Sequence, residues 1–511
     1  MEDHKVQPQA PAPSPAQAPP WLRMPSFRLL NLWAVPATVC FLLLLFVISG
    51  GFFSRVDDFN FSNSSFFTGE TGTSSFESTG ILGQLNCTSG TEHQACPSNY
   101  PTRLSPNLTS SGSCPEYFRW IYEDLRPWKE TGITREMLEH PKTQEFRHFR
   151  VIVLDGKAYL ETFKRAFQTR DVFTVWGILQ LLRLFPGKVP DLELIFCCED
   201  LTVIPKSDYL DNETSGPPPL FHYCGKESSY DIPFPDWSFW GWPEVNIKPW
   251  DVEIRAIRQK SNKIKWDDRQ PFAYWKGNPL NKNRRDLMKC NKRWIRDWKV
   301  RAFSQNWVEE INKGFKTSNL EDQCKYRYKI YVEGRAWSVS EKYIMACNST
   351  TLMVRPEYYD FFTRGMYPLE HYWPIRPNNK CRDIKFAVEW GNRHPSEAQK
   401  IGDTGTKYVE ENVKIEYVYQ YMLHMLTEYA KLLRFKPEVP PGATEICSET
   451  MACTAEGLTK QYMLESMVTT PSNSLPCTLP PPFDPVDHKA IRRRKANATR
   501  QIMIWKAELL Y

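Results

Sequence analysis

The segment Cys197-Cys198-Glu199-Asp200 follows an apolar run, Leu192 to Phe196, and so sets a carboxylate just past what reads as a buried strand. Ligands of open α/β sheets bind beyond the carboxyl ends of strands, where an aspartate can take a proton from a hydroxyl as a general base. Capping the next turn is an equally ordinary use for it. In "YVEGRAWSVSEKYIMAC" (331–347), Gly334 follows the strand-like "YRYKIYV" (326–332), and Ser338-Val339-Ser340-Glu341 forms an S-x-x-E capping box before an apolar helical run. A strand entering a helix through a glycine turn offers N–H groups to a diphosphate, and an ordinary capped helix has the same signature. "AYWKGNP" (273–279) places Lys276, a point charge suited to phosphate, beside Gly277, which allows close backbone approach. A plain turn would read alike.

"FPDWSFWGWPEV" (234–245) concentrates Trp237, Phe239, Trp240 and Trp242 in a stretch too broken by glycine and proline for a regular element. It either stacks on a sugar ring or folds over the core. Other chemistries are missing: no D-x-D for a metal-bridged nucleotide-sugar, no C-x-x-C or H-E-x-x-H for zinc, no G-x-S-x-G and no P-loop. His222 and His371, each beside an aromatic residue, read as core or rim.

The elements holding these residues follow from periodicity. Residues 171–185 and 415–435 carry apolar residues at helical spacing, and 192–198 and 326–332 read as strands. Such alternation argues for an α/β fold with parallel sheets. A chain of 511 residues exceeds one core. We divide it into an N-terminal domain (113–260), a C-terminal domain (261–440) and an extension (441–511) packing back on them.

Residues 31–53 carry no charge and are long enough to span a bilayer. Arg23 and Arg28 precede the run, so residues 1–30 are expected to be a disordered cytosolic tail and the remainder lumenal, a type II orientation. Residues 54–112, rich in Ser, Thr and Gly, read as an extended stem. N-x-S/T sequons at Asn60, Asn63, Asn86, Asn107, Asn212, Asn348 and Asn497 all lie beyond the span, as do thirteen of the fourteen cysteines. That odd number leaves at least one unpaired in an oxidising lumen. The ending "AELLY" has no retrieval signal, which favours the Golgi membrane over the endoplasmic reticulum. A net charge of +6 names no nucleic-acid partner, and Arg492-Arg493-Arg494-Lys495 reads as a solvated helix face.

The ordered set "FRVIVLDGKAYL", "CCEDLTVIP", "DIPFPDWSFWGWPEV", "AYWKGNP", "CKYRYKIYVEGRAWSVSEKYIMAC" and "HYWPI" resembles glycosyltransferase family 90, the Rumi-like protein O-glucosyltransferases and capsule-associated glycosyltransferases, with wording closest to the plant-type branch. The resemblance implies a GT-B architecture, two Rossmann-like domains facing across a cleft, with the acceptor on the N-terminal side and the donor on the C-terminal side. It implies inverting transfer from a UDP-sugar without a metal or other cofactor. Asp200 falls on the family's base, with Glu199 replacing the arginine before it. Lys276, next to Gly277, falls on a nucleotide-contacting arginine. The donor loop falls on Gly334, Arg335, Ala336, Trp337, Ser338, Val339 and Ser340. Ser340 stands where Rumi-like enzymes carry an arginine for the diphosphate, so Arg335 or Lys342 is expected to supply that charge.

The family also pairs the cysteines here at Cys324 and Cys347, and its counterpart of residues 234–245 lines the cleft. Trp237, Phe239, Trp240 and Trp242 are therefore expected there, Trp240 foremost. Asn348 falls in the nucleotide-domain helix and is expected to be buried and unglycosylated. The function implied is transfer of glucose, xylose or a related sugar to a hydroxyl of a glycoprotein or polysaccharide. The alternative is a catalytically silent glycan- or UDP-binding membrane protein on the same fold. A glycoside hydrolase, which needs two carboxylates, ranks last.

Overall fold

The computed structural model describes residues 85–87, 94–105, 108–209, 216–291 and 296–508. The expected tail, the span at 31–53 and the sequons at Asn60, Asn63, Asn107 and Asn212 lie outside the described residues, among which no helix is long and apolar enough to cross a membrane.

Asp155 and Gly156 both adopt left-handed backbone conformations, with φ of 51° and 76°. They form the tight Asp-Gly turn that suits a two-residue hairpin, which joins β1 (Phe149–Leu154) to β2 (Lys157–Thr162) antiparallel. β1 also pairs antiparallel with β3 (Leu192–Phe196), and only from β3 does the sheet continue in parallel, through β4 (Leu220–His222) and β5 (Ile232–Pro233). The first sheet is therefore mixed rather than parallel. Between β2 and β3 runs α1 (Arg170–Leu184), most of whose residues are buried. A helix apolar on nearly all sides needs cover on all sides. Part of that cover comes from the chain's last quarter: Gln180 Nε2 donates to Ser448 Oγ (3.1 Å) and Trp176 Nε1 to Ser466 Oγ (3.0 Å).

The second sheet is parallel throughout, as expected. It holds β6 (Gln270–Gly277), β7 (Val300–Ser304), β8 (Tyr326–Tyr331), β9 (Thr350–Val354) and β10 (Trp373–Ile375) in the order β10-β9-β8-β6-β7. α2 (Lys282–Lys289) follows β6, and α3 (Ser340–Met345) connects β8 to β9.

The chain then returns to the first half. α4 (Ile415–Leu432) donates from Tyr429 Oη to the carbonyl of Glu193 in β3 (3.0 Å), and β11 (Thr444–Ile446) extends the first sheet antiparallel to β2. Residues 415–440, assigned above to the C-terminal domain, thus pack on the N-terminal sheet. α5 (Pro485–Glu508) touches both halves, through Arg119 with Asp487 and Lys506 with Asp383. Arg492, Arg493 and Arg494 are exposed on it, as a solvated helix face should be, but Lys495 is half-buried and burial lowers its pKa.

Five disulfides hold this body. Cys87–Cys453, Cys96–Cys447 and Cys114–Cys477 fasten its first described residues to its last hundred, while Cys290–Cys381 and Cys324–Cys347 lie within the second half. The end of the expected stem is accordingly not extended: Cys87 and Cys96 are anchored, and Thr109–Ser110 pairs with Ser474–Leu475. Cys197, Cys198 and Cys224 are unpaired and buried. Among the described residues the one cluster of His, Cys and carboxylate atoms close enough to share an ion is Cys114, His424 and Cys477, and its two sulfurs already form a disulfide.

Candidate active site

Asp200 leaves the end of β3 and meets Arg170, the first residue of α1, whose Nη1 lies 2.8 Å from Asp200 Oδ1. The arginine is buried, its guanidinium packs over the Trp237 ring at 4.5 Å, and Nη1 also donates to the Cys198 carbonyl (3.4 Å). These contacts fix the direction of a carboxylate whose side chain is still 32% exposed. Beside it, Glu199 pairs with Lys164 at 2.9 Å, and that hydrogen bond holds its pKa below the usual value.

Asp200 stands where two recesses meet. One, about 260 Å³, runs between the halves, from Arg170, Trp237 and Trp242 to β6, β8 and the loop after β8. Its walls carry five basic side chains, Arg170, Lys276, Arg284, Lys329 and Arg335, against a single carboxylate, Asp200. The other, about 620 Å³, shares Asp200 and Arg335 and is lined further by Glu199, Lys226 and Tyr358. A wider recess of about 670 Å³ near Trp390 and Trp505 carries Glu370, Glu397 and Glu508 against Lys400, the wrong charge for a phosphate.

Of the residues singled out in the sequence, the inter-half cavity gathers Asp200, Trp237, Trp242, Lys276, Gly277, Gly334, Arg335, Trp337, Ser338, Val339 and Ser340. Phe239, Trp240, Ala336 and Lys342 are not on its wall. Trp240, expected foremost, is wholly buried: its indole lies against Gly177, where an added Cβ would come within 2.4 Å of the ring, and Nε1 donates to Tyr419 Oη (2.9 Å). Phe239 is buried and packs beneath the Lys342 ammonium (4.2 Å). Lys342 donates to Ser238 Oγ (2.8 Å), pairs with Asp236 (3.3 Å) and has its pKa lowered by burial, so its charge is spent inside the core. Ala336 is a buried small residue.

Lys276 reaches the wall but pairs with Glu310 at 3.3 Å. The capping box does not form. α3 starts at Ser340 behind Val339, which makes no side-chain cap, while Ser338 Oγ contacts Ser340 Oγ (2.8 Å) and Glu341 turns into the core. His222 and His371 are buried, as expected. Asn86 and Asn497 are exposed, whereas Asn348 lies past the end of α3 in a left-handed turn, at φ 52°, and is half-buried rather than buried, with an unpartnered Oδ1.

Two arginines carry no motif and were missed. One is Arg170. The other is Arg284, placed by α2: Asn281 caps that helix, accepting from the Arg284 N–H (2.8 Å), and the guanidinium then donates to the carbonyls of Asn278 (3.3 Å) and Glu333 (3.0 Å) and to Ser338 Oγ (3.1 Å). It has no carboxylate within ion-pair distance among the described residues, and burial lowers its pKa. The only advance signal was a basic first turn after Gly277.

The loop's other anchor is Glu333, whose Oε1 accepts from the N–H groups of Glu357 (2.8 Å) and Tyr358 (2.7 Å) and whose pKa burial pushes up to about 7. Between its unfolded value of 4.5 and 7 the folded state binds more protons than the unfolded chain, so this group's stabilisation is complete below that window and lost as pH rises through it. Glu333→Gln is therefore expected to match wild type near pH 4 and to be the more stable by about 1–3 kcal/mol at pH 7.5. Urea unfolding of both proteins at the two pH values checks this; a gap that stays constant would mean the carboxylate is hydrated in the fold.

Comparison with known proteins agrees with this geometry. The family model described as Glycosyl transferase family 90 matches residues 109–506. The O-glucosyltransferase rumi homolog of Aedes aegypti is 25% identical over 377 residues, covering 69% of this chain and 89% of its own. Protein O-glucosyltransferase 1 of Bos taurus is 24% identical, with 68% and 86% covered, and O-glucosyltransferase rumi of Drosophila melanogaster 23% identical, with 64% and 79% covered. With most of its length matched and a carboxylate set against a cationic cleft, the chain belongs to glycosyltransferase family 90 and is a glycosyltransferase.

Proposed function

We propose that the protein transfers a sugar, glucose before xylose, from a UDP-sugar to a hydroxyl of a glycoprotein or polysaccharide, with inversion and without a metal. The observation that carries this is a cavity walled by five basic side chains and one carboxylate, opening at that carboxylate into a second recess. The diphosphate fits the cationic cavity and the acceptor fits the recess. Asp200 takes the proton of the acceptor hydroxyl, whose oxygen bonds to the anomeric carbon as the bond to the diphosphate oxygen breaks on the opposite face. Configuration inverts, since the donor cavity holds no second carboxylate for a covalent glycosyl intermediate and Glu199 in the adjoining recess is paired with Lys164. Trp237, Trp242 and Trp337 wall the reacting sugar. Charge that develops on the departing UDP is met by positioned cations. One carboxylate is a poor donor set for a divalent ion, which supports the metal-independent reading.

Ser340 leaves the loop short of a cation, and Arg284 beneath it makes good the loss. Arg284→Met is expected to weaken UDP binding by about 1.5–3 kcal/mol, the value of hydrogen bonds to a charged group, or roughly 10- to 150-fold. Calorimetric titration with UDP checks this, and an unchanged affinity would reduce Arg284 to a prop for the loop.

Two α/β halves with the cavity between them support a GT-B architecture. The names of the relatives favour glucose. The uncharged run at 31–53 with basic residues before it supports a type II Golgi anchor and a lumenal body, and disulfides and exposed sequons at Asn86 and Asn497 accord with that compartment. The test is sugar transfer by the protein across a panel of UDP-sugars with EDTA present. Turnover of one donor names the sugar, turnover only with added divalent ion sinks the metal-independent mechanism, and no binding of any UDP-sugar sinks the whole reading.

A further inference from the structure

Lys329 has no task in the reaction just described. Arg170 holds Asp200, Lys276 faces Glu310, and Arg284 and Arg335 flank the loop that receives the diphosphate. Lys329 sits within β8, in register with Tyr274 of β6 and Thr351 of β9, and is 4% exposed. No carboxylate lies within ion-pair distance of it among the described residues. Its Nζ contacts Cys347 Sγ at 3.2 Å, a weak acceptor already committed to the disulfide with Cys324, and the nearby Arg269 repels its charge. Burial brings its pKa down to about 7. A buried amine without a counterion opposes folding, and leucine or methionine would suit the strand better. Yet this residue lines the donor cavity.

The Tyr274 ring lies 5.9 Å from Lys329 Nζ, and Trp307 and Leu320, with the amides of Gln305 and Gln323, line the same cavity. Flat apolar walls with a few donors at the edge suit a planar heterocycle bearing carbonyl oxygens rather than a sugar or a second phosphate. We propose that Lys329 donates a hydrogen bond to a carbonyl oxygen of the uracil base and thereby sets the preference for uridine nucleotides. This rests on the UDP-sugar reading above. Pyrimidines of the uracil type present an acceptor at O4, where cytosine presents an amino donor. An amine at that edge therefore accepts the first and rejects the second.

The experiment compares the full-length wild type with Lys329→Met and Lys329→Gln, titrating each with UDP, CDP and inorganic pyrophosphate and recording thermal midpoints without ligand. Lys329→Met is expected to melt no lower than wild type, to bind UDP at least tenfold more weakly, to lose the preference for UDP over CDP, and to bind pyrophosphate unchanged. Lys329→Gln, which keeps a shorter donor, is expected to retain part of the preference and carries the test should the methionine variant not fold. UDP and pyrophosphate weakening together would make Lys329 a phosphate ligand and overturn the proposal, as would an unaltered UDP to CDP ratio in both variants. Wild type that binds no UDP would overturn the donor reading itself, and this inference with it.

Discussion

Asp200→Asn is expected to lower sugar transfer by about three orders of magnitude, within the range general bases supply, while changing UDP affinity by no more than about threefold. The asparagine keeps the shape of the carboxylate and can still accept from Arg170, so the cleft keeps its geometry and its cations. What is lost is the acceptor for the hydroxyl proton, a role confined to the transition state. Such a loss falls on kcat and kcat/KM alike. Initial rates with the donor found in the panel, beside UDP titration of the same preparation, separate the outcomes. A variant that keeps more than a tenth of wild-type turnover would remove Asp200 from the chemistry, and one that loses UDP binding equally would make it a structural partner of Arg170.

Arg364→Met is expected to have the largest effect on stability. Arg364 is buried, its Nη1 lies 2.8 Å from Asp124 Oδ1, and its guanidinium is held between the rings of Trp120 (4.5 Å) and Tyr359 (4.1 Å). The pair ties the helix at Trp120–Leu125 to the turn at Thr363–Gly365 in the other half of the chain. Removing the arginine leaves Asp124 buried and unpaired, a loss of about 3–5 kcal/mol for a broken interior ion pair. The thermal midpoint should drop by roughly 3–6 °C for a protein of this size. Arg364→Met combined with Asp124→Leu should recover most of it, since replacing both charges by apolar groups is often neutral. A single variant within about 1 kcal/mol of wild type would show that water reaches the pair.

What could be read in the sequence was whatever depends on local pattern. Apolar runs located β3, β8, α1 and α4, and the position of Asp200 past β3 follows from that alone. The antiparallel start of the first sheet was equally local, since Asp155-Gly156 is a hairpin signal, but strand–helix alternation elsewhere in the chain points to parallel sheets and masks it. Burial was not local. Trp240 looks like Trp237 in the sequence, but the space that takes its indole is made by Gly177 on a helix sixty residues earlier. Lys342 stood in the right place to serve a phosphate, and nothing beside it announced that Asp236, a hundred residues away, would neutralise it. Arg170 and Arg284 are the converse case, unremarkable basic residues that α1 and α2 deliver to the same cavity.

The three disulfides between the beginning and the end of the body also set a schedule for its biosynthesis. Cys96 and Cys447 are separated by 351 residues. At synthesis rates of 5–20 residues per second, roughly 20–70 s pass before the second thiol of that pair emerges. Through that interval the first sheet lacks its edge strand β11 and its covering helix α4, and Cys87, Cys96 and Cys114 have no native partner to join. Cys197, Cys198 and Cys224 emerge meanwhile, and the thiolate of any of them can attack an early cysteine already held in a mixed disulfide, forming a non-native pair as the other thiol leaves. A thiol caught in such a pair is freed only by further exchange, so the native pairs at this seam close last. Truncation upstream of Cys447 should leave a translated but unfinished product, however intact its cavity residues.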